Sequence, residues 1–93
     1  MTKPAPFHIV FALFPGVTHL DFTGPHQILA RLPGAQVTVA SEAGGEIEAD
    51  GLVFARLARL ADIERCDLLC VPGGFGTTDA MADQAFLDQV RRL

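Results

Sequence analysis

Cysteine is scarce in this chain: Cys66 and Cys70 are the two thiols in 93 residues. Two thiols cannot build the disulfide framework that staples small secreted domains, so the composition points away from secretion. Cations are also few. Lys3, Arg31, Arg56, Arg59, Arg65, Arg91 and Arg92 are 7 positive charges against 11 acidic residues, and the net −4 is spread along the chain. A nucleic-acid surface needs clustered cations to displace counterions, and no such cluster is present. Long apolar runs are missing too: the longest, Ile9 to Phe14, is broken by Pro15 and Gly16. That is far short of the roughly 18 consecutive apolar residues of a membrane-spanning helix. The opening stretch Met1 to Pro6 carries one lysine and two prolines. It lacks the apolar region and small-residue cleavage site of a secretory signal, which leaves the cytoplasm as the expected location.

What is present is a globular composition, 49% hydrophobic with 19% charged residues, enough apolar content for a buried core. The length allows one domain at most. It is short for an α/β domain with helices on both sheet faces, which usually runs to roughly 100 to 200 residues.

Phe7 to Phe14 (FHIVFALF) is almost continuously apolar between Pro6 and Pro15, the pattern of a strand buried on both faces of a parallel sheet. Beyond the Pro15-Gly16 turn, THLDFTGPHQILARLPG predicts a crossover helix capped by Thr23, with Pro25 in its first turn and Ile28, Leu29 and Leu32 on one face. Pro33-Gly34 ends it, and Gln36 to Ala40 reads as a second strand parallel to the first. Gly44-Gly45 and Asp50-Gly51 bracket a small hairpin of Ile47 to Ala49 and Leu52 to Ala55. A weakly helical connection is expected over Leu57 to Glu64, followed by a buried parallel strand over Cys66 to Val71 that ends at Pro72-Gly73-Gly74. Asp83 then predicts an N-cap, with Phe86, Leu87, Val90 and Leu93 at helical spacing and Arg91 and Arg92 at the C-terminal end. The final helix reaches Leu93 without a capping signal, which leads us to expect the N-terminal part of a longer domain.

In an open parallel sheet, ligands sit beyond the carboxyl ends of the strands, where the crossovers diverge. Two loops fall there. One carries Gly16 and then Asp21; the other carries Gly73, Gly74 and Gly76. A carboxylate facing a glycine-lined backbone would supply a proton shuttle and an oxyanion site. Each feature also has a structural reading: Asp21 as a favourable charge at a helix start, and PGGFG as a tight turn. The glycine spacing matches neither GxGxxG nor a phosphate loop, and no GxSxG elbow occurs.

Cys66 and Cys70, four residues apart on a strand, would be separated by about 13 Å, too far for a disulfide or a shared tetrahedral metal. Cys70 is expected to act as a small buried hydrophobe. His8 is expected to be a satisfied core histidine, while His19 and His26 flank Asp21 and are candidates for the crevice wall.

The segments FPGVTHLDFTGPHQILARLPGAQV (Phe14 to Val37) and CDLLCVPGGFGTTDAM (Cys66 to Met81) together resemble the ThiJ/PfpI family of the class-I glutamine-amidotransferase-like superfamily. The similarity runs from Phe7 onward and is strongest to the isonitrile-hydrating branch. It implies an α/β, flavodoxin-like three-layer sandwich with a mainly parallel sheet, of which residues 1–93 form the N-terminal part of one domain. It also implies a homodimer acting on a small-molecule substrate, without a metal or organic cofactor. In that branch a cysteine on a strand-to-helix elbow attacks the isonitrile carbon, and water resolves the thioimidate to an N-substituted formamide. Asp21 matches the acid beside that thiol, and Gly73 and Gly74 match the segment whose N–H groups line the pocket. Family members of the chaperone, deglycase and peptidase types carry a glutamate in this region, so the aspartate of LDFTGP favours the hydrating branch. The nucleophile elbow is expected beyond Leu93, and neither Cys66 nor Cys70 takes its place. A related LDxxGP-like segment also opens the sensor domain of AraC-type transcription regulators. That alternative stays open, as does an inactive truncated family member.

Overall fold

A computed structural model describes residues 7–74 and 77–93. The reading of Met1 to Pro6 and of Gly76 lies outside the described residues. Five strands form one sheet in the order β3-β4-β2-β1-β5. They are β1 (Phe7–Leu13), β2 (Ala35–Ser41), β3 (Gly45–Ala49), β4 (Leu52–Arg59) and β5 (Leu68–Cys70), with helices α1 (His19–Leu29), α2 (Thr77–Ala82) and α3 (Gln84–Arg92).

β1 lies between β2 and β5 and pairs parallel with both, Phe11 standing opposite Val39 on one side and Cys70 on the other. Ile9 through Leu13 are all buried, as the continuous apolar run requires of a strand covered on both faces. Successive side chains on a strand point to opposite faces. Phe11 meets Phe22 of α1 edge-on at 5.4 Å, while Phe14, of the other parity, meets Phe86 of α3 at 5.8 Å. The two helices therefore cover opposite faces, which gives the three layers of a flavodoxin-like sandwich. The sheet is parallel apart from the β3–β4 hairpin.

α1 begins earlier than the sequence suggests. Thr18 is its N-cap, not Thr23, and Pro25 lies inside the helix. The first-turn preference of proline suggested the later start, yet packing of Phe22 beneath the helix outweighs the hydrogen bond that Pro25 cannot donate. The earlier start also turns the helix. Phe22 is buried, whereas Ile28 is 70% exposed and Leu32 45% exposed, so the predicted apolar face of Ile28, Leu29 and Leu32 contributes only the partly buried Leu29 to the core.

The hairpin turns at Asp50 (φ 49°) and Gly51 (φ 82°), the left-handed pair that suits two-residue hairpins. Its second strand continues past the expected Ala55. Ile47 pairs with Phe54 but Gly45 pairs with Leu57, so β4 carries one extra residue, and Arg56 at φ 59° takes up the bulge. The bend brings Ala58 and Arg59 parallel to β2. The expected helical connection over Leu57 to Glu64 is therefore strand up to Arg59, followed by a single 3-10 turn over Leu60–Asp62. β5 is shorter than the expected Cys66 to Val71, and it is only half-buried because, among the described residues, it borders the sheet with no strand beyond it. Asp83 caps α3 as expected, its carboxylate accepting from the Phe86 N–H at 3.2 Å. Arg92 ties the other end of α3 to the Leu60 carbonyl at 2.7 Å.

Candidate active site

The chain leaves β1 toward α1 and β2 on one side and leaves β5 toward α2 and α3 on the other, so the carboxyl ends of β1 and β5 flank the switch point of the sheet. The two loops there are joined directly. Thr18 N–H donates to the Gly73 carbonyl at 3.0 Å, and Val17 forms an antiparallel bridge with Gly74. Thr18 is also the N-cap of α1, and its carbonyl accepts from the Asp21 N–H at 3.1 Å. The glycine loop thus fixes the first helical turn that carries Asp21. Oδ2 of Asp21 lies 3.1 Å from the point where a Cβ on Gly73 would sit.

Gly74 makes the junction possible. At φ 152° it occupies a conformation that L side chains rarely adopt, and a Cβ there would overlap the Thr18 nitrogen and fall 2.6 Å from the Gly16 carbonyl oxygen. Among the described residues no hydrogen bond takes the N–H of Gly73 or Gly74.

A second clamp was not legible in the sequence. Gly16 N–H donates to the Glu48 carbonyl at 3.4 Å, and His19 Nε2 donates to the Ala49 carbonyl. The hairpin thereby holds the loop after β1 from the side opposite the glycines. No local pattern announces this pairing, because it joins residues 30 apart across the fold.

The histidines do not line the crevice as expected. His19 turns to the hairpin and packs its ring against Phe54, and His26 lies under α1 against Phe11 and Phe22. Starting at His19 rather than near Thr23, the helix directs residues 19, 22 and 26 to the sheet and leaves Asp21 exposed. His8 is satisfied as expected but half-buried rather than in the core: Nδ1 donates to the Arg65 carbonyl at 3.2 Å and Nε2 accepts from the Thr38 hydroxyl at 2.9 Å. Cys66 and Cys70 are free, half-buried thiols. Burial pushes both thiols up from their ordinary acidity, with Asp67 adding to the effect on Cys66 and Cys66 adding to that on Cys70. A raised thiol is a poor nucleophile at neutral pH. Among the described residues no three His, Cys, Asp or Glu side chains are grouped to hold a metal ion, and no helix is long and apolar enough to cross a membrane.

No protein-family model matches the chain. It is 39% identical over 84 residues to the isonitrile hydratase of Pseudomonas putida, covering 89% of this chain and 37% of that relative. A crystal structure of a ThiJ/PfpI family protein from Pseudomonas syringae superposes with a TM-score of 0.84 at 27% identity, over 91% of this chain and 36% of that one. The chain belongs to the ThiJ/PfpI family. Drosophila melanogaster DJ-1beta shares the fold with a TM-score of 0.78 at 25% identity, over 92% of this chain and 48% of its own. The chain thus spans between about a third and a half of the length of these ThiJ/PfpI relatives.

Proposed function

We propose that residues 1–93 are the N-terminal part of a single ThiJ/PfpI domain and supply the acid and backbone side of an isonitrile-hydrating site. The observation that carries this reading is the Asp21 carboxylate lying against Gly73 at the switch point of the sheet, in a chain 39% identical to an isonitrile hydratase. The reaction adds water to R–N≡C to give R–NH–CHO. A thiolate from a segment outside these residues forms the C–S bond, and the isonitrile carbon takes a proton to give the thioimidate R–N=CH–S. Water then adds at that carbon, one of its protons goes to the nitrogen and the other to the departing sulfur as the C–S bond breaks, and R–NH–CHO and the thiol result. Asp21 is positioned to pass the thiol proton to the substrate in the first step and to take one from water in the second. The reading assigns the N–H groups of Gly73 and Gly74 to the charge that develops in these steps.

The same reading makes the protein a cytoplasmic homodimer that needs neither metal nor organic cofactor. In support of a second copy, Leu20 and Ile28 on α1 and Leu52 and Val53 at the hairpin tip are each more than half exposed, and the His19–Ala49 bond holds helix start and hairpin together. Exposed apolar side chains of this size suit a protein contact.

The deciding experiment is Asp21→Asn in the protein that carries the nucleophile. Asparagine is nearly isosteric but exchanges no proton, so turnover of a simple isonitrile is expected to fall by about two to four orders of magnitude with little change in stability. Wild-type turnover, with a loss of about 0.5 to 2 kcal/mol in folding stability, would make Asp21 a helix-start residue only. A protein that binds isonitriles without turning them over would favour the sensor-domain alternative.

A further inference from the structure

The first turn of α1 carries Asp21, yet Thr18 at its start makes no side-chain capping bond. A helix start without a side-chain cap has unmatched N–H groups and frays unless another contact holds it. Asp21 is exposed, and among the described residues its carboxylate accepts no hydrogen bond and joins no ion pair. Its position is therefore inherited from the backbone of that turn. On the glycine side the turn is held by the Thr18 N–H, which donates to the Gly73 carbonyl at 3.0 Å. On the hairpin side it is held by a side chain, His19, whose Nε2 donates to the Ala49 carbonyl. Gly16 N–H also reaches the hairpin, at 3.4 Å from the Glu48 carbonyl, but that long bond ties the preceding loop and leaves the helix start to His19.

We propose that His19 is a positioning residue of this site: its imidazole N–H anchors the first turn of α1 to the hairpin and so sets where the Asp21 carboxylate stands against Gly73. The consequence for turnover rests on the acid role given to Asp21 under the proposed function; the anchoring itself does not. A carbonyl oxygen only accepts, so Nε2 carries the proton. The acceptor is firmly placed, because Ala49 is buried and pairs with Leu52 across the Asp50-Gly51 turn. The imidazole is held as well. It meets Phe54 of β4 edge-on at 5.7 Å, Phe54 meets Phe22 at 5.4 Å, and Phe22 meets Phe11 of β1 at 5.4 Å. A chain of packed rings thus runs from the middle of the sheet through α1 to the hairpin and back to the residue two places before Asp21. Residues three apart share one helix face, so His19 and Phe22 grip both ends of the turn from below, and Asp21 stands between them on the outer side.

The test compares His19→Leu, which keeps an apolar side chain against Phe54 but donates nothing, with His19→Gln, whose amide N–H has a similar reach. Both are made in the protein that carries the nucleophile, isotope-labelled at the aspartate carboxyl carbons, so that Asp21 reports its surroundings independently of turnover. Expected in His19→Leu are displaced resonances of the Asp21 carboxyl carbon and of the Thr18 and Gly73 amides, which return toward the parent in His19→Gln. With a simple isonitrile, kcat should fall about tenfold in His19→Leu at a KM within about twofold of the parent, and recover to within about threefold in His19→Gln. On an Asp21→Asn background, His19→Leu should cost nothing further. Parent-like turnover of Asp21→Asn, with the expected resonance changes in the His19 variants, would remove the acid role and leave the anchoring standing. Unchanged Asp21 and Gly73 resonances in His19→Leu, equal losses in the two His19 variants, a loss carried by KM alone, or a further loss on the Asp21→Asn background would each overturn the proposal.

Discussion

Oδ2 of Asp21 and the Cα of Gly73 are so close that a methyl group on Gly73 would sit 3.1 Å from the carboxylate oxygen. Gly73 has ordinary backbone geometry, and the atom it would meet is the end of a short, exposed side chain. Gly73→Ala is therefore expected to leave stability within about 0.5 kcal/mol of the parent while moving the carboxylate by a few tenths of an ångström or more. If Asp21 does the proton transfer, turnover in the nucleophile-bearing protein falls about 10- to 100-fold from misplacement alone. The same substitution made on Asp21→Asn should cost nothing further. Additive losses in the double variant would show that Gly73 acts by some route other than Asp21.

Gly74 presents the opposite case. A Cβ there meets backbone rather than a movable side-chain end: the Thr18 nitrogen, the Gly16 oxygen at 2.6 Å and the Val17 carbonyl carbon at 2.9 Å. Gly74→Ala must separate the two loops, breaking the bridge that fixes the start of α1. A loss of about 2–4 kcal/mol is expected in urea unfolding. A loss below about 0.5 kcal/mol would mean that the loops part at little cost.

The contrast between these glycines was not readable from PGGFG, which identifies a turn without saying which residue faces a backbone and which a side chain. The strands were more legible. Phe7 to Phe14 showed itself as a parallel strand because burial on both faces leaves an uninterrupted apolar run, Cys66 to Val71 revealed a shorter parallel strand that is only half-buried at the border of the sheet, and Asp50-Gly51 announced its hairpin through the backbone geometry it demands. The crevice was legible at the level of loops, since chain order alone sends Asp21 and the glycines to carboxyl ends of strands. Orientation was not. One wrong anchor, Pro25 taken as a first-turn residue, rotated α1 and with it the expected positions of His19, His26 and Ile28. α2 escaped notice because six residues are too short to establish a periodic pattern.

Asp83 offers a check on the helix that covers the far face of the sheet. Its carboxylate accepts from Phe86 N–H at 3.2 Å, and Phe86 in turn packs on Phe14. Asp83→Ala removes the cap and is expected to cost about 1 kcal/mol, with Asp83→Asn recovering most of it. Equal losses for alanine and asparagine, measured by chemical denaturation, would place the effect in charge rather than in the hydrogen bond.

The two thiols set the alkaline limit. Burial raises both, with Asp67 as a further cause at Cys66 and Cys66 at Cys70. Each is thus harder to ionise in the folded chain than in the unfolded one. The unfolded state releases its protons first as pH rises, so the stability owed to these groups is fully present below the unfolded value of about 8.5 and is lost as pH climbs through the folded values. Unfolding free energy should fall from about pH 8.5 upward, and fall less in the Cys66→Ala, Cys70→Ala double variant. The same shift lowers the thiolate fraction at neutral pH, so iodoacetamide should modify both cysteines more slowly in the folded chain than in urea. A folded chain in which either thiol reacts faster than in urea would identify an activated cysteine, and would reopen the possibility that the nucleophile lies within these 93 residues.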